Sequence, residues 1–222
     1  MTPFADIVKA AEDAAGGAAA LSDRLPQAKT ADELRAIPDD RYLSLMSLRV
    51  FRAGIKHSVV DAKWPAFEEV FRGFDPHALQ AMNDEELEGL MGDERIIRHG
   101  GKIRATHHNA AATCALAAEA GGMGAYLADW PAGDVVGLWA DIAKRFKQMG
   151  GRSAPTFLRM AGKDTFILSD DVVRALRDRG VVDGEPKSKR DRALVQDAFN
   201  AWADESSRPL CQISMILALS AS

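Results

Sequence analysis

Three places in the chain gather residues that could do chemistry. The first is a glycine turn, Met149-Gly150-Gly151-Arg152, between two helix-patterned segments, 134–147 and 153–161. Glycine reaches φ > 0 and lets another group approach the backbone closely. The N–H groups at the start of the Ser153 helix lack intrahelical acceptors, so they attract a phosphate oxygen. Arg145, Lys147 and Arg152 add positive charge around the turn. The plainer reading is a tight pair of helices with solvated basic residues. The second place is Asp170-Asp171, two acids opening a helix that Ser169 or Asp170 could cap. The third is a set of histidines, His57, His107 and His108, the last two beside Asn109. Successive helical residues point about 100° apart, so His107 and His108 make a poor metal pair and only one can face a given pocket. The basic run Lys187-Ser188-Lys189-Arg190 reads as a solvated helix start, with phosphate contact as the alternative.

Helices must position these groups. Apolar residues recur at helical spacing over 4–15, 30–37, the stretch after Asp39-Asp40, 59–71, 95–120, 134–147, 153–161, 172–179, 193–206 and 210–219. Thr30 with Glu33 has capping-box spacing, and Asn83 precedes an acidic first turn. Pro65 predicts a break or a late start in its helix, and Gly100-Gly101 a weak point in the next long one. Residues 165–168 form the one β-like run, and it is short. The four tryptophans, Trp64, Trp130, Trp139 and Trp202, read as core. The fold class is all-α.

Composition narrows the function classes. The chain has 222 residues, 47% hydrophobic and 27% charged, enough for one domain or two small lobes sharing a core. Lys plus Arg is 28 against 32 Asp plus Glu, a net charge of −4, which argues against a nonspecific polycationic nucleic-acid binder. Cys114 and Cys211 cannot build a disulfide framework or a four-cysteine zinc site, so they read as buried small apolar residues in a reduced, cytoplasmic setting. No apolar run is long enough to span a membrane, and the N-terminus lacks signal-peptide features.

Residues 53–111 carry Ala53-Gly54, Lys63 to Phe67, Phe74-Asp75-Pro76, Met82, Ile96-Ile97-Arg98-His99, Lys102-Ile103, Ala105 and Asn109-Ala110 in one order. Together these resemble the 3-methyladenine DNA glycosylase I family. The stretch from Gln148 to Gly162 looks like the helix-hairpin-helix of the wider DNA glycosylase superfamily. The resemblance implies two helical lobes with a cleft between them in a single domain, 1–222. The approximate lobes are 39–121, 134–180, and 188–222 packing on the core. It implies a monomeric, nucleoid-associated enzyme that hydrolyses the N-glycosidic bond of a flipped alkylated purine in duplex DNA, with no cofactor.

Within that resemblance, Gly150, Gly151, Arg152, Ser153 and Lys147 would meet the DNA backbone. Asp170 or Asp171 would be the carboxylate found about twenty residues past the hairpin glycine, stabilising an oxocarbenium-like sugar or activating water. The spacing from Gly151 favours Asp171, and the following Val173 favours Asp170. Arg49, His57, Tyr42, Phe51, His107 and Asn109 would line the base pocket. The hairpin lacks the lysine of lyase-active relatives, which implies a monofunctional enzyme.

The departures are as informative. Arg49 stands where the family has a pocket glutamate, and His57 where it has a stacking tryptophan. The family's zinc ligands near the termini have no counterpart here: the first histidine is His57, and the final residues ILALSAS offer none. No metal is therefore expected. The alternatives are a non-catalytic protein that binds damaged DNA, motivated by Arg49, and a helical interaction module with no DNA role.

Overall fold

Every regular element among the described residues, 2–221, is helical in the computed structural model. The chain begins with α1 (Phe4–Ala15), α2 (Ala18–Ser22) and α3 (Ala31–Arg35). It continues through α4 (Asp39–Arg52), α5 (His57–Val70), a 3-10 turn (Arg72–Phe74), α6 (Pro76–Gln80) and α7 (Asp84–Gly92). The longest helix, α8 (Gly100–Ala120), leads to α9 (Met123–Asp129), α10 (Val135–Arg145) and α11 (Ser153–Ala161). Last come α12 (Asp170–Asp178), α13 (Lys189–Ser206) and α14 (Leu210–Leu219). The β-like run at 165–168 pairs with no strand; the Ile167 N–H donates instead to Ser214 Oγ at 3.1 Å.

Local chemistry explains most boundaries. Capping boxes form at Thr30 with Glu33, Asn83 with Glu86, and Ser188 with Asp191. Ser169, rather than Asp170, caps α12 by accepting the Val172 N–H. Two boundaries differ from the sequence pattern. Helix α5 runs through Pro65 unbroken. Trp64 and Phe67 stack at 4.9 Å, and packing of that face outweighs the lost backbone hydrogen bond. Helix α8 starts at Gly100, not near residue 95. His99 caps it by accepting the Lys102 N–H, while Lys63 Nζ takes the carbonyls of Glu94 and Arg95 at 2.9 and 3.0 Å. The segment before His99 is thereby held out of the helix.

The chain divides into two units, with α10 split after Leu138. One comprises Thr30–Trp130 and Trp139–Ala161. Its core is aromatic: Trp64, Phe67, Phe71 and Phe74 stack in series, with Phe51 edge-on to Phe67 at 4.5 Å. Removing one such ring costs about 3–5 kcal/mol. Beside the stack, Glu68 accepts from Ser44 Oγ and from both terminal nitrogens of Arg41. The other unit comprises residues up to Lys29, Pro131–Leu138, and residues from Gly162 onward. There Phe166, Phe199, Trp202 and Phe4 form a second aromatic series. Trp202 Nε1 donates to the Thr2 carbonyl at 3.2 Å. The Asp164 carboxylate accepts from the N–H groups of Leu210 and Cys211, capping α14 from a distance in sequence.

Candidate nucleic-acid interface and base pocket

The glycine turn follows α10 and opens α11. Gln148 and Gly151 both have positive φ, +61° and +60°. The Ser153 N–H bonds the Gly150 carbonyl at 3.1 Å, which closes the turn. A Cβ placed on Gly150 or Gly151 would meet nothing within 4 Å, so the turn's backbone faces open space. Met149 anchors the turn in the core, while Lys147, Gly150, Gly151 and Arg152 are exposed. Ser153 is buried, so its contribution to a ligand would come through the backbone.

Asn109, expected in the base pocket, holds this turn. It is fully buried on α8. Its Oδ1 accepts the Lys147 N–H at 2.7 Å, and its Nδ2 donates to the Lys147 carbonyl at 3.2 Å. One amide side chain thus satisfies both backbone groups of one residue, as a paired strand would. Gln148 Nε2 adds a bond to the Gly101 carbonyl at 3.0 Å. Arg145, by contrast, is committed to structure: it binds Glu119 at 2.7 Å and Asp141 at 2.6 Å, and Tyr126 donates to Asp141. Those carboxylates hold the Arg145 guanidinium above its ordinary pKa. Lys147 and Arg152 are exposed beside the turn.

Lys102 lies two helical turns before Asn109 on the same face of α8. Its Nζ donates to the carbonyls of Phe51 and Ala53 at 3.1 and 2.5 Å. These carbonyls belong to the open C-terminal end of α4, where a cation complements the helix dipole. Gly54, with φ +73°, makes the turn into α5. Helix α8 is thus a spine whose one face fixes both the Ala53-Gly54 turn and the glycine hairpin.

The other expected pocket residues separate. Arg49 is half-buried in the last turn of α4, and burial lowers its guanidinium pKa. His57 is exposed at the first position of α5. Tyr42 and Phe51 are fully buried. Tyr42 donates its hydroxyl to the Leu34 carbonyl at 2.8 Å, and burial followed by the field of Asp39 raises it to about 12. His107 lies about 140° around α8 from Lys102. It borders a groove of about 430 Å³ with Asp84, Glu88, Met91 and Arg104 against α7. The structure therefore places Arg49 in the α4 turn whose end Lys102 caps and leaves His107 on another face of α8. Lys102 was legible only as a match to the resembled family; its role needed the fold.

In the second unit, Asp170 and Asp171 are both exposed in the first turn of α12. Asp171 forms an ion pair with Arg174. The terminal regions do not fit a zinc site. Trp202, Phe4 and Thr2 pack where the N-terminal segment meets α13, and Cys211 Sγ lies 3.7 Å from the Pro26 carbonyl. Among the described residues, no three His, Cys, Asp or Glu side chains could hold a metal ion. Cys114 is half-buried, its Sγ 3.6 Å from His77 Nδ1, and burial raises its thiol. No described helix is long and apolar enough to cross a membrane.

Comparison with known proteins places the matched features in one family. Residues 35–150 match the methyladenine glycosylase family model, more than half of the chain. A curated relative, DNA-3-methyladenine glycosylase 1 of Escherichia coli K12, is 36% identical over 72 residues. That match spans 32% of this chain and 38% of the relative's length. Among solved structures, a 3-methyladenine DNA glycosylase I aligns with a TM-score of 0.51 at 23% identity, over 65% of this chain and 86% of that one. The Staphylococcus aureus 3-methyladenine DNA glycosylase I, described for its recognition of 3-methyladenine, aligns with a TM-score of 0.52 at 18% identity, over 69% and 91%. These structural likenesses show the shared all-α fold. With its family match running from the end of α3 through α4 and α8 to the glycine hairpin, the chain belongs to the methyladenine glycosylase family.

Proposed function

We propose that the protein is a monofunctional DNA N-glycosylase of base-excision repair, hydrolysing the bond between deoxyribose and an alkylated purine flipped from duplex DNA. The observation that carries this reading is the glycine hairpin at the end of the family-matched segment, its backbone open and its position set by buried Asn109. The N–H groups at the start of α11 bind a DNA phosphate, with Lys147 and Arg152 supplying charge. Flipping exposes the glycosidic bond. An alkylated purine leaves readily, so modest machinery suffices. A carboxylate of the α12 first turn stabilises positive charge on the sugar. Asp170 or Asp171 supplies it, and Asp171 pairs with Arg174.

The test is release of methylpurine from alkylated duplex DNA. Release is expected, reduced at least tenfold in Asp170→Asn or in Asp171→Asn. Binding without release supports a damage-binding protein instead, a reading motivated by Arg49. A strand break at the abasic site without added base overturns the monofunctional assignment. Absent or salt-insensitive DNA binding overturns the whole reading.

A further inference from the structure

Helices α7 and α8 wall a groove of about 430 Å³ lined by Asp84, Leu87, Glu88, Met91, Arg104 and His107. Its charges are of both signs. Asp84 and Glu88 stand four residues apart on α7 and share a face. Arg104 and His107 stand three apart on α8. Among the described residues, none of Asp84, Glu88 and Arg104 has a side-chain ion pair or hydrogen bond. Neighbouring charges do find partners: Arg72 binds Glu86 of α7, and Arg95 binds Asp93 and Glu69. The helix dipole accounts for Asp84 in the first turn of α7, but not for Glu88 one turn on. His107 Nε2 is buried without a hydrogen-bond partner, a polar atom that the chain leaves unsatisfied.

The opposite charges are also separated along the groove. A Cβ on Gly100 would lie 3.2 Å from Arg104 Nη1 and 3.2 Å from Met91 Sδ, so the guanidinium sits at the Met91 end of α7. Asp84 lies at the other end, about 10 Å away along the helix. Leu87 and Met91 give the stretch between them an apolar surface. A bare cation drawn to Asp84 and Glu88 also meets Arg104, and a bare anion drawn to Arg104 meets two carboxylates. A molecule with a charge of each sign and an apolar stem between them satisfies both ends.

We propose that this groove binds a small extended zwitterion of the class of a basic amino acid. The ligand carboxylate takes the Arg104 guanidinium, and the side-chain cation takes Asp84 and Glu88. The methylene stem lies on Leu87 and Met91. A turn of the His107 ring offers its unsatisfied nitrogen to a ligand N–H. An amino acid with a short side chain holds its charges too close together to span the groove. The site lies outside the glycosylase reading and does not depend on it.

The experiment is isothermal titration calorimetry of the full chain with three probes. L-arginine carries both charges, agmatine lacks the carboxylate, and L-citrulline lacks the side-chain cation. Saturable one-to-one binding of L-arginine is expected, with agmatine and L-citrulline weaker by about tenfold. Arg104→Gln should lower the L-arginine affinity to that of agmatine, and Glu88→Gln should lower it to that of L-citrulline, with thermal melting confirming that each variant folds. The His107 imidazole resonances should shift at the same L-arginine midpoint. No saturable binding of L-arginine up to about 10 mM overturns the site. Agmatine binding as tight as that of L-arginine reduces it to an acidic patch and overturns it too. So does L-arginine binding that Arg104→Gln and Glu88→Gln leave unchanged.

Discussion

Among the buried polar residues on one face of helix α8, Asn109 and Lys102 have opposite surroundings. Asn109 uses a donor and an acceptor on Lys147, and no polar atom there is left over. Lys102 satisfies two carbonyls at the end of α4, and in the last turn of that helix the Arg49 Nε is buried without a hydrogen bond. A satisfied polar pair shapes the backbone. An unsatisfied cation stores an interaction for something outside the chain. By this criterion the hairpin end of α8 is scaffold, whereas the α4 end keeps one buried nitrogen unpaired.

Substitutions can break that contrast. Asn109→Ala leaves the Lys147 N–H and carbonyl without their buried partner and should cost about 3 kcal/mol by urea unfolding. DNA affinity should fall more than base binding. A loss below about 1 kcal/mol would mean the clamp is incidental. Gly151→Ala forces a side chain into left-handed backbone and should cost about 1 kcal/mol, with weaker DNA binding by fluorescence anisotropy. Gly150→Ala has no positive φ to contend with and should be close to neutral, so equal effects would remove the turn geometry from the explanation.

Tyr42 is a third satisfied group, and pH separates it from the others. Its folded pKa lies above the unfolded value, so its stabilisation is full below about pH 10 and is lost as pH rises toward about 12. Tyr42→Phe should cost about 1 kcal/mol at neutral pH and flatten the stability profile over that alkaline window. An unchanged profile would contradict its burial against Leu34. The smallest effect has the opposite sign. Arg49→Met removes the buried orphan nitrogen and the repulsion on Lys102, and should stabilise the fold by up to about 1 kcal/mol by urea unfolding. Destabilisation would show that Arg49 serves the fold.

How much of this was visible in the residues follows from the range of each interaction. Capping at Thr30, Asn83 and Ser188 joins groups three positions apart, and helical periodicity repeats within a turn, so both can be read locally. The glycine hairpin is equally local: positive φ at Gly151 answers to the residue itself. Pro65 and the 95–99 segment resisted such reading. A stacked Trp64 and a lysine ammonium from α5 decided them, and neither enters a local propensity.

The sequence by itself determined an all-α chain, the hairpin, and the family to which residues 35–150 belong. Tertiary structure alone decided which candidate residues do what. Tyr42 and Phe51 are pocket candidates by type and core residues by burial. Asn109 meets Lys147, and Lys102 meets Phe51 and Ala53, across separations of dozens of residues. Whether a polar atom finds a partner depends on which helices pack together, and burial then sets the worth of the contact. Arg49 shows this most directly: its charge is written in the sequence, but its lack of a counter-charge exists only in the fold.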